Sequence, residues 1–199
     1  RTDWSILATP ETRRAAEWAQ GVQVPAERWI KLEAGRALRA SAGIPEGALV
    51  IGFVGRLVGD KGVPELVEAF EALSGRHPEA WLLLAGPRET RDALDAATVA
   101  RLEGHPRIRE LGFVAEPAPV YAASDVVALP SHREGFPNVP LEAAAMCRPV
   151  VSTDVDGCRD AVEDGVTGVL VPAGDVGRLG VALGRYLEDG GLRERHGAS

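Results

Sequence analysis

The chain has 199 residues, of which 45% are hydrophobic and 26% charged, and its formal net charge is −7. That composition supports one substantial buried core, or one and a half, and excludes a disordered segment. The acidic balance excludes nucleic acid as the main partner, because such a binder needs surplus Lys and Arg to neutralise phosphates.

Of the 22 basic residues only Lys31 and Lys61 are lysines, so a lysine inside a glycine-rich turn stands out. Cys147 and Cys158 have no His or Cys companion at metal-ligand spacing and read as reduced thiols used as small apolar fillers. No apolar run approaches the ~20 residues that span a bilayer, and the first residues lack the basic-then-apolar profile of a secretory signal. The expected location is therefore cytoplasmic, with peripheral membrane contact left open.

In chain order, residues 1–48 are expected to be the remnant of a second domain and a linker. Ser5–Leu7 reads as a short strand, Pro10–Gln20 as a helix capped by Thr9, Trp29–Leu32 as another strand and Glu33–Gly43 as a helix. At Lys31-Leu32-Glu33 an apolar run passes into a helix without turn residues, which suggests residues missing from the sequence near 32–33. From Leu49 to the C-terminus, short apolar runs alternate with segments of helical period. The expected strands are Leu49–Gly55, Trp81–Gly86, Ile108–Phe113, Asp125–Pro130, Pro149–Thr153 and Gly168–Val171. They are continuous apolar stretches, the mark of strands covered on both faces of a parallel sheet. Helices are expected from Pro64 to about Arg76 and over Glu89–Glu103, Pro117–Ala123, Asn138–Cys147, Cys158–Glu163 and Val176–Glu188. Strand–helix units in series imply an α/β, Rossmann-like, doubly wound parallel sheet across 49–199. In such sheets ligands bind outside the carboxyl ends of the strands.

Two segments carry chemistry. Gly55-Arg56-Leu57-Val58-Gly59-Asp60-Lys61-Gly62 follows one strand and opens a helix. A turn of this kind offers backbone N–H groups and a positive helix end to phosphate, and Arg56 and Lys61 add two charges. It is no P-loop: Gly62 stands where a magnesium-binding hydroxyl belongs, and the Gly-x4-Gly-Lys spacing is not met. Alone the segment is also compatible with a plain turn bearing a solvated lysine. The second segment is Glu134-Gly135-Phe136-Pro137-Asn138-Val139-Pro140-Leu141-Glu142. Its two carboxylates can face one pocket and accept hydrogen bonds from sugar and ribose hydroxyls. The bland alternative makes Glu134 a solvated loop charge and Glu142 a favourable charge in a helix's first turn.

The order of these segments resembles the C-terminal domain of retaining GT-B-fold glycosyltransferases (group 1, family 4 type), which include glycogen, sucrose-phosphate and many polysaccharide-assembling transferases. The resemblance runs through Gly55-Arg56-x4-Lys61-Gly62, Leu111-Gly112-Phe113-Val114, Ser124-Asp125-x3-Leu129-Pro130-Ser131 and Glu134-Gly135-Phe136-Pro137-x3-Leu141-Glu142-Ala143. It continues in Pro149-Val150-Val151-x2-Asp154-Val155-x-Gly157 and Glu163-Asp164-Gly165-x-Thr167-Gly168-x-Leu170-Val171-Pro172. Asp156-Gly157 and Arg159-Asp160 stand where the family often has Gly-Gly and Pro-Glu.

The resemblance implies a glycosyltransferase that moves a sugar from a UDP- or GDP-linked donor to an acceptor hydroxyl with retention, needing no metal or other cofactor. Residues 1–48 would belong to the acceptor domain and linker, and the missing part of that domain would carry any membrane contact. The acceptor is unspecified. Arg56 and Lys61 would grip the diphosphate, beside Gly55. Glu142 would bind the ribose hydroxyls and Glu134 the transferred sugar, with backbone N–H groups around Gly135 and Phe136. Leu141 would lie against the ribose and phosphate, and backbone at Gly112, Phe113 and Val114 would meet the base. Same-face substitution, in which the leaving phosphate takes the acceptor proton, is favoured over a Glu134 nucleophile.

Two motifs are set aside. Asp154-Val155-Asp156 spells a metal-binding Asp-x-Asp, yet Arg56 and Lys61 already supply positive charge. His132, alone in a polar loop, reads as a surface residue rather than a general base. A non-catalytic nucleotide-sugar-binding module and a GT-B epimerase remain as alternative functions.

Overall fold

The computed structural model describes residues 26–199, with side chains from Glu33 onward. The expected strand Ser5–Leu7 and helix Pro10–Gln20 lie outside the described residues. The elements are α1 (Ala26–Ser41), β1 (Leu49–Val54), α2 (Val63–Ser74), β2 (Ala80–Ala85), α3 (Ala96–Gly104), β3 (Ile108–Glu110) and α4 (Ala118–Ala123). There follow β4 (Val126–Leu129), α5 (Asn138–Ala145), β5 (Val150–Thr153), α6 (Asp156–Ala161), β6 (Gly168–Val171), α7 (Val176–Glu188) and α8 (Gly190–Ala198). A short 3-10 turn, Gly59–Lys61, precedes α2.

The strands form one six-stranded sheet in the order β3-β2-β1-β4-β5-β6, every neighbouring pair parallel. The apolar runs earn their place by alternation across two cores. Ile51 and Phe53 of β1, Leu82 and Leu84 of β2, and Val126 and Ala128 of β4 pack with α2 and α7. Val50, Trp81, Leu83 and Ala85 point the other way, under α1 and α4, while Val127, Leu129 and Val150 join Tyr121 and Ala143. Both faces being covered, no position of these strands can be polar without a partner.

α1 is fixed by one residue of each kind. A Cβ at Gly35 would lie 2.6 Å from the Ala122 carbonyl carbon, so the two helices touch backbone to backbone. Arg39 donates to the carbonyls of Ala123 at 2.7 Å and Ala48 at 3.0 Å, and to Asp125 Oδ2 at 2.7 Å. Asp125 also accepts from Val50 N at 2.7 Å, which ties α1 to the start of β1 and β4.

Several expectations need correcting. Trp29–Leu32 is not a strand: α1 runs through it without interruption across Leu32–Glu33, as suits Ala-Glu-Arg-Trp-Ile-Lys-Leu-Glu-Ala, a run dominated by good helix formers. The helix expected over Glu89–Glu103 begins only at Ala96, because Asp95 caps it by accepting from Thr98 N. The helix expected over Cys158–Glu163 begins two residues earlier, and β3 stops at Glu110 instead of reaching Phe113. α8 has no counterpart among the expected helices; Asp189 caps it by accepting from Leu192 N.

Candidate functional site

The strand order reverses between β1 and β4, which leave the sheet centre side by side while their following connections diverge to opposite faces. The loops after these two strands are the glycine-rich turn and the segment beginning at Ser131. They are interlocked. Gly62 sits at φ 69°, with its absent Cβ 2.1 Å from the Pro130 carbonyl oxygen, so only glycine gives both the left-handed turn and the close approach. His132 N donates to Asp60 O at 3.0 Å, Arg133 Nε to Asp60 Oδ2 at 3.0 Å, and His132 Nε2 lies 2.7 Å from Glu65 Oε1.

The join closes on Lys61 and Glu134. Lys61 Nζ donates to Glu134 Oε1 at 2.6 Å, the two side chains being 20% and 11% exposed. Ser131 Oγ donates to the same oxygen at 2.7 Å. Glu134 is thus not a solvated loop charge but a shielded acceptor held by two donors. Behind it, a Cβ on Gly157 would stand 2.1 Å from Gly135 O and 2.6 Å from Glu134 O, so the start of α6 packs directly on this loop. The buried Cys158 thiol beneath is pushed up in pKa, chiefly by burial and further by the Glu134 charge.

The other expected site residues make separate contacts. Arg56 is exposed and donates to Glu89 Oε2 at 2.8 Å; its guanidinium is raised in pKa by that bond and by the Glu89 charge. Gly55 and Arg56 leave β1 at its carboxyl end. Leu141 and Phe136 are exposed at 48% and 58%, and Phe113 at 76%. Gly112, Phe113 and Val114 follow β3 as a loop, Gly112 with φ 68°. Glu142 lies in α5 beyond the first turn, where no acidic residue stands, so a first-turn electrostatic role does not apply. Its Oε2 accepts from Tyr121 OH at 2.6 Å.

The structure therefore brings Lys61 and Glu134 into contact, turns Arg56 to Glu89, and turns Glu142 to Tyr121. Three contributors were missed from the sequence: Ser131, Tyr121 and the loop 87–95. That loop supports the turn, for Asp92, at φ 59°, accepts from Asp60 N at 2.7 Å, and its carbonyl accepts from Gly59 N at 3.2 Å. Nothing in the residue order signals the Asp92 contact with Asp60, which spans 32 residues. A cavity of about 760 Å³ opens at this turn, lined by Arg56, Gly59, Asp60, Glu65, Asp92 and Arg133 among others. Its volume suits a small-molecule pocket. It takes in Arg56 but not Lys61, Glu134 or Glu142.

The set-aside motifs are accounted for. Arg159 binds Asp154 Oδ1 at 2.5 Å and Asp156 Oδ1 at 2.7 Å, so both carboxylates of the Asp-x-Asp already face a cation. Among the described residues no group of three or more His, Cys, Asp or Glu is placed to hold a metal ion. None of the described helices is long and apolar enough to cross a membrane.

The chain is similar to known proteins in sequence and in fold. Residues 48–189 match the family model described as Glycosyl transferases group 1. The chain is 36% identical over 148 residues to the capsular polysaccharide biosynthesis glycosyltransferase CapM of Staphylococcus aureus, covering 74% of this chain and 39% of that one. Among solved structures it is similar to Anabaena HepE in complex with UDP and glucose, with a TM-score of 0.71 and 28% identity over 83% of this chain and 45% of that one. It is also similar to the C-terminal domain of a group 1 family glycosyl transferase, LpcC, of Francisella tularensis. There the TM-score is 0.73 and the identity 26%, over 84% of this chain and 87% of that one. The chain spans less than half the length of CapM and HepE, and most of the LpcC domain.

Proposed function

The chain belongs to the group 1 glycosyl transferases and has the fold of a GT-B C-terminal domain, and from that premise we propose that it is the nucleotide-sugar-binding half of a sugar-transferring enzyme. The reaction moves a glycosyl unit from a nucleoside diphosphate to an acceptor hydroxyl, with retention of configuration and without a metal. One observation carries the reading: the turn after β1 and the loop after β4 meet at the reversal point of the sheet and set Lys61 against Glu134 at 2.6 Å. A cation beside a shielded carboxylate in a crevice of this kind suits a ligand with a diphosphate at one end and sugar hydroxyls at the other. HepE, similar in fold and sequence, has been solved with UDP and glucose.

On this reading, charge grows on the leaving diphosphate as the glycosidic bond breaks. Lys61, just before the N-terminal end of α2, stands to meet it, and Arg56 swings from Glu89 to join it. Glu134, with Lys61 and Ser131 both on Oε1, is better suited to hold a sugar hydroxyl than to attack the anomeric carbon. That supports same-face substitution, in which the leaving phosphate oxygen accepts the acceptor's proton. Glu142 binds the ribose, Leu141 lies against it, and the Gly112–Val114 backbone meets the base. Arg159 already bonds both Asp154 and Asp156, which leaves them less free to hold an ion against the diphosphate.

Steady-state kinetics on the intact enzyme test the division of roles. Lys61→Ala lowers kcat and raises donor KM, because the lost interaction strengthens in the transition state. Glu142→Ala chiefly raises donor KM, by a factor worth about 1–3 kcal/mol. Glu134→Gln keeps the shape but removes charge beside the developing oxocarbenium ion, so kcat falls with little change in donor binding. Equal effects of the two glutamate variants on kcat overturn the assignment. Activity survives EDTA; loss restored only by Mg²⁺ or Mn²⁺, together with an inactive Asp154→Asn variant, reverses the metal-free reading.

A further inference from the structure

Tyr121 is a residue whose chemistry the scheme above does not use. Its side chain is 1% exposed in α4 and packs among Val127, Leu129, Ala143 and Val150. Its hydroxyl reaches out of that apolar cluster to donate to Glu142 Oε2 at 2.6 Å. Burial, first, and the Glu142 bond, second, raise its pKa far above the ordinary phenol range, so the hydroxyl stays a donor across physiological pH. The arrangement is one-directional. A buried phenol must find an acceptor, whereas a carboxylate has about four acceptor positions and keeps most of them after one bond. Glu142 itself is only partly buried, on a helix side chain with three rotatable bonds, and without a fixed partner it would spread over several rotamers.

We propose that Tyr121 is a positioning residue for the donor's ribose: it locks one oxygen of Glu142 from inside the core and so presents the remaining acceptor positions to the ribose hydroxyls. This rests on the donor-site reading given above and adds to it a residue that touches no substrate. The energetic consequence is preorganisation. The ordering of Glu142 is already in place before the nucleotide arrives, so less of each ribose hydrogen bond is lost to side-chain entropy.

The test is equilibrium binding of UDP and GDP, and of their 2′,3′-dideoxy counterparts, to the 199-residue chain and its Tyr121→Phe and Glu142→Ala variants, with thermal midpoints recorded. The unchanged chain prefers the ribonucleotide by about tenfold or more, the worth of a charged hydrogen bond, and Glu142→Ala abolishes that preference. Tyr121→Phe weakens ribonucleotide binding several-fold and leaves dideoxynucleotide binding nearly unchanged, so the preference shrinks. Two results overturn the proposal while leaving the donor site intact. One is a full ribose preference retained in Tyr121→Phe while Glu142→Ala has lost it. The other is an equal loss for ribo and dideoxy ligands that tracks a lowered thermal midpoint, which is the mark of a purely structural tyrosine. No binding of either nucleotide, or no effect of Glu142→Ala, instead overturns the ribose assignment of Glu142, and with it the role given to Tyr121.

Discussion

Glycine 62 shows how one residue couples two distant loops. At φ 69°, with Pro130 O 2.1 Å from where its Cβ would be, it permits the turn after β1 to lie directly on the end of β4. Alanine there carries about 1–2 kcal/mol for the left-handed conformation alone, and Pro130 must move in addition. Gly62→Ala is therefore expected to lower the urea midpoint and, by separating Lys61 from Glu134, to weaken UDP or GDP binding more than Lys61→Ala does. A variant that loses stability while nucleotide binding stays normal shows that the join does not hold the site. Lys61 and Glu134 were both legible as candidates from residue type and position. That they face each other was not, because contact across 73 residues depends on the packing of Gly62 on Pro130.

Helix α1 makes the same point for an element. Its sequence reads as good helix formers, yet what attaches it is a bare glycine backbone on Ala122 and a buried-side arginine that reaches two carbonyls and Asp125. Gly35→Val forces α1 away from α4 and is expected to destabilise the chain by about 1–3 kcal/mol, as overpacking does, measured by chemical unfolding. Far-UV circular dichroism should stay close to that of the unchanged chain, because the helix remains formed and only its seat is disturbed. A midpoint unchanged by Gly35→Val indicates that α1 is not seated on α4 in solution. The 87–95 loop is the opposite case, an expected helix displaced by tertiary demand. Its backbone is used to hold Gly59 and Asp60, and helix formation waits for the Asp95 cap.

Over the whole molecule, two histidines link stability to pH. His105 is lowered in pKa by burial, then by Arg107, and Arg107 N donates to its Nδ1 at 3.2 Å. His196 is lowered by burial, then by Arg195 and Arg185, and shares a hydrogen bond with Tyr186 OH at 2.7 Å. The folded chain thus keeps both imidazoles neutral to lower pH than the unfolded chain does. As pH falls through about 6.5, the unfolded state takes up protons that the folded state refuses, and stability declines. Above that range the two states bind alike and the contribution is flat. Urea midpoints at pH 7.5 and 5.5 should differ more for the unchanged chain than for the His105→Gln, His196→Gln double variant; an equal difference removes the histidines from the account.

The sequence by itself determined the parallel, doubly wound sheet, since continuous apolar strands separated by helical segments can be buried only with helices on both faces. It also singled out the two loops proposed to hold the donor, because glycine, lysine and paired glutamates stand after strand ends. The tertiary structure alone decided the partners. Ion pairs and hydrogen bonds such as Lys61–Glu134, Arg56–Glu89 and Tyr121–Glu142 join residues that are far apart along the chain. Their formation depends on the order in which strands lie in the sheet, which no local preference of the backbone encodes.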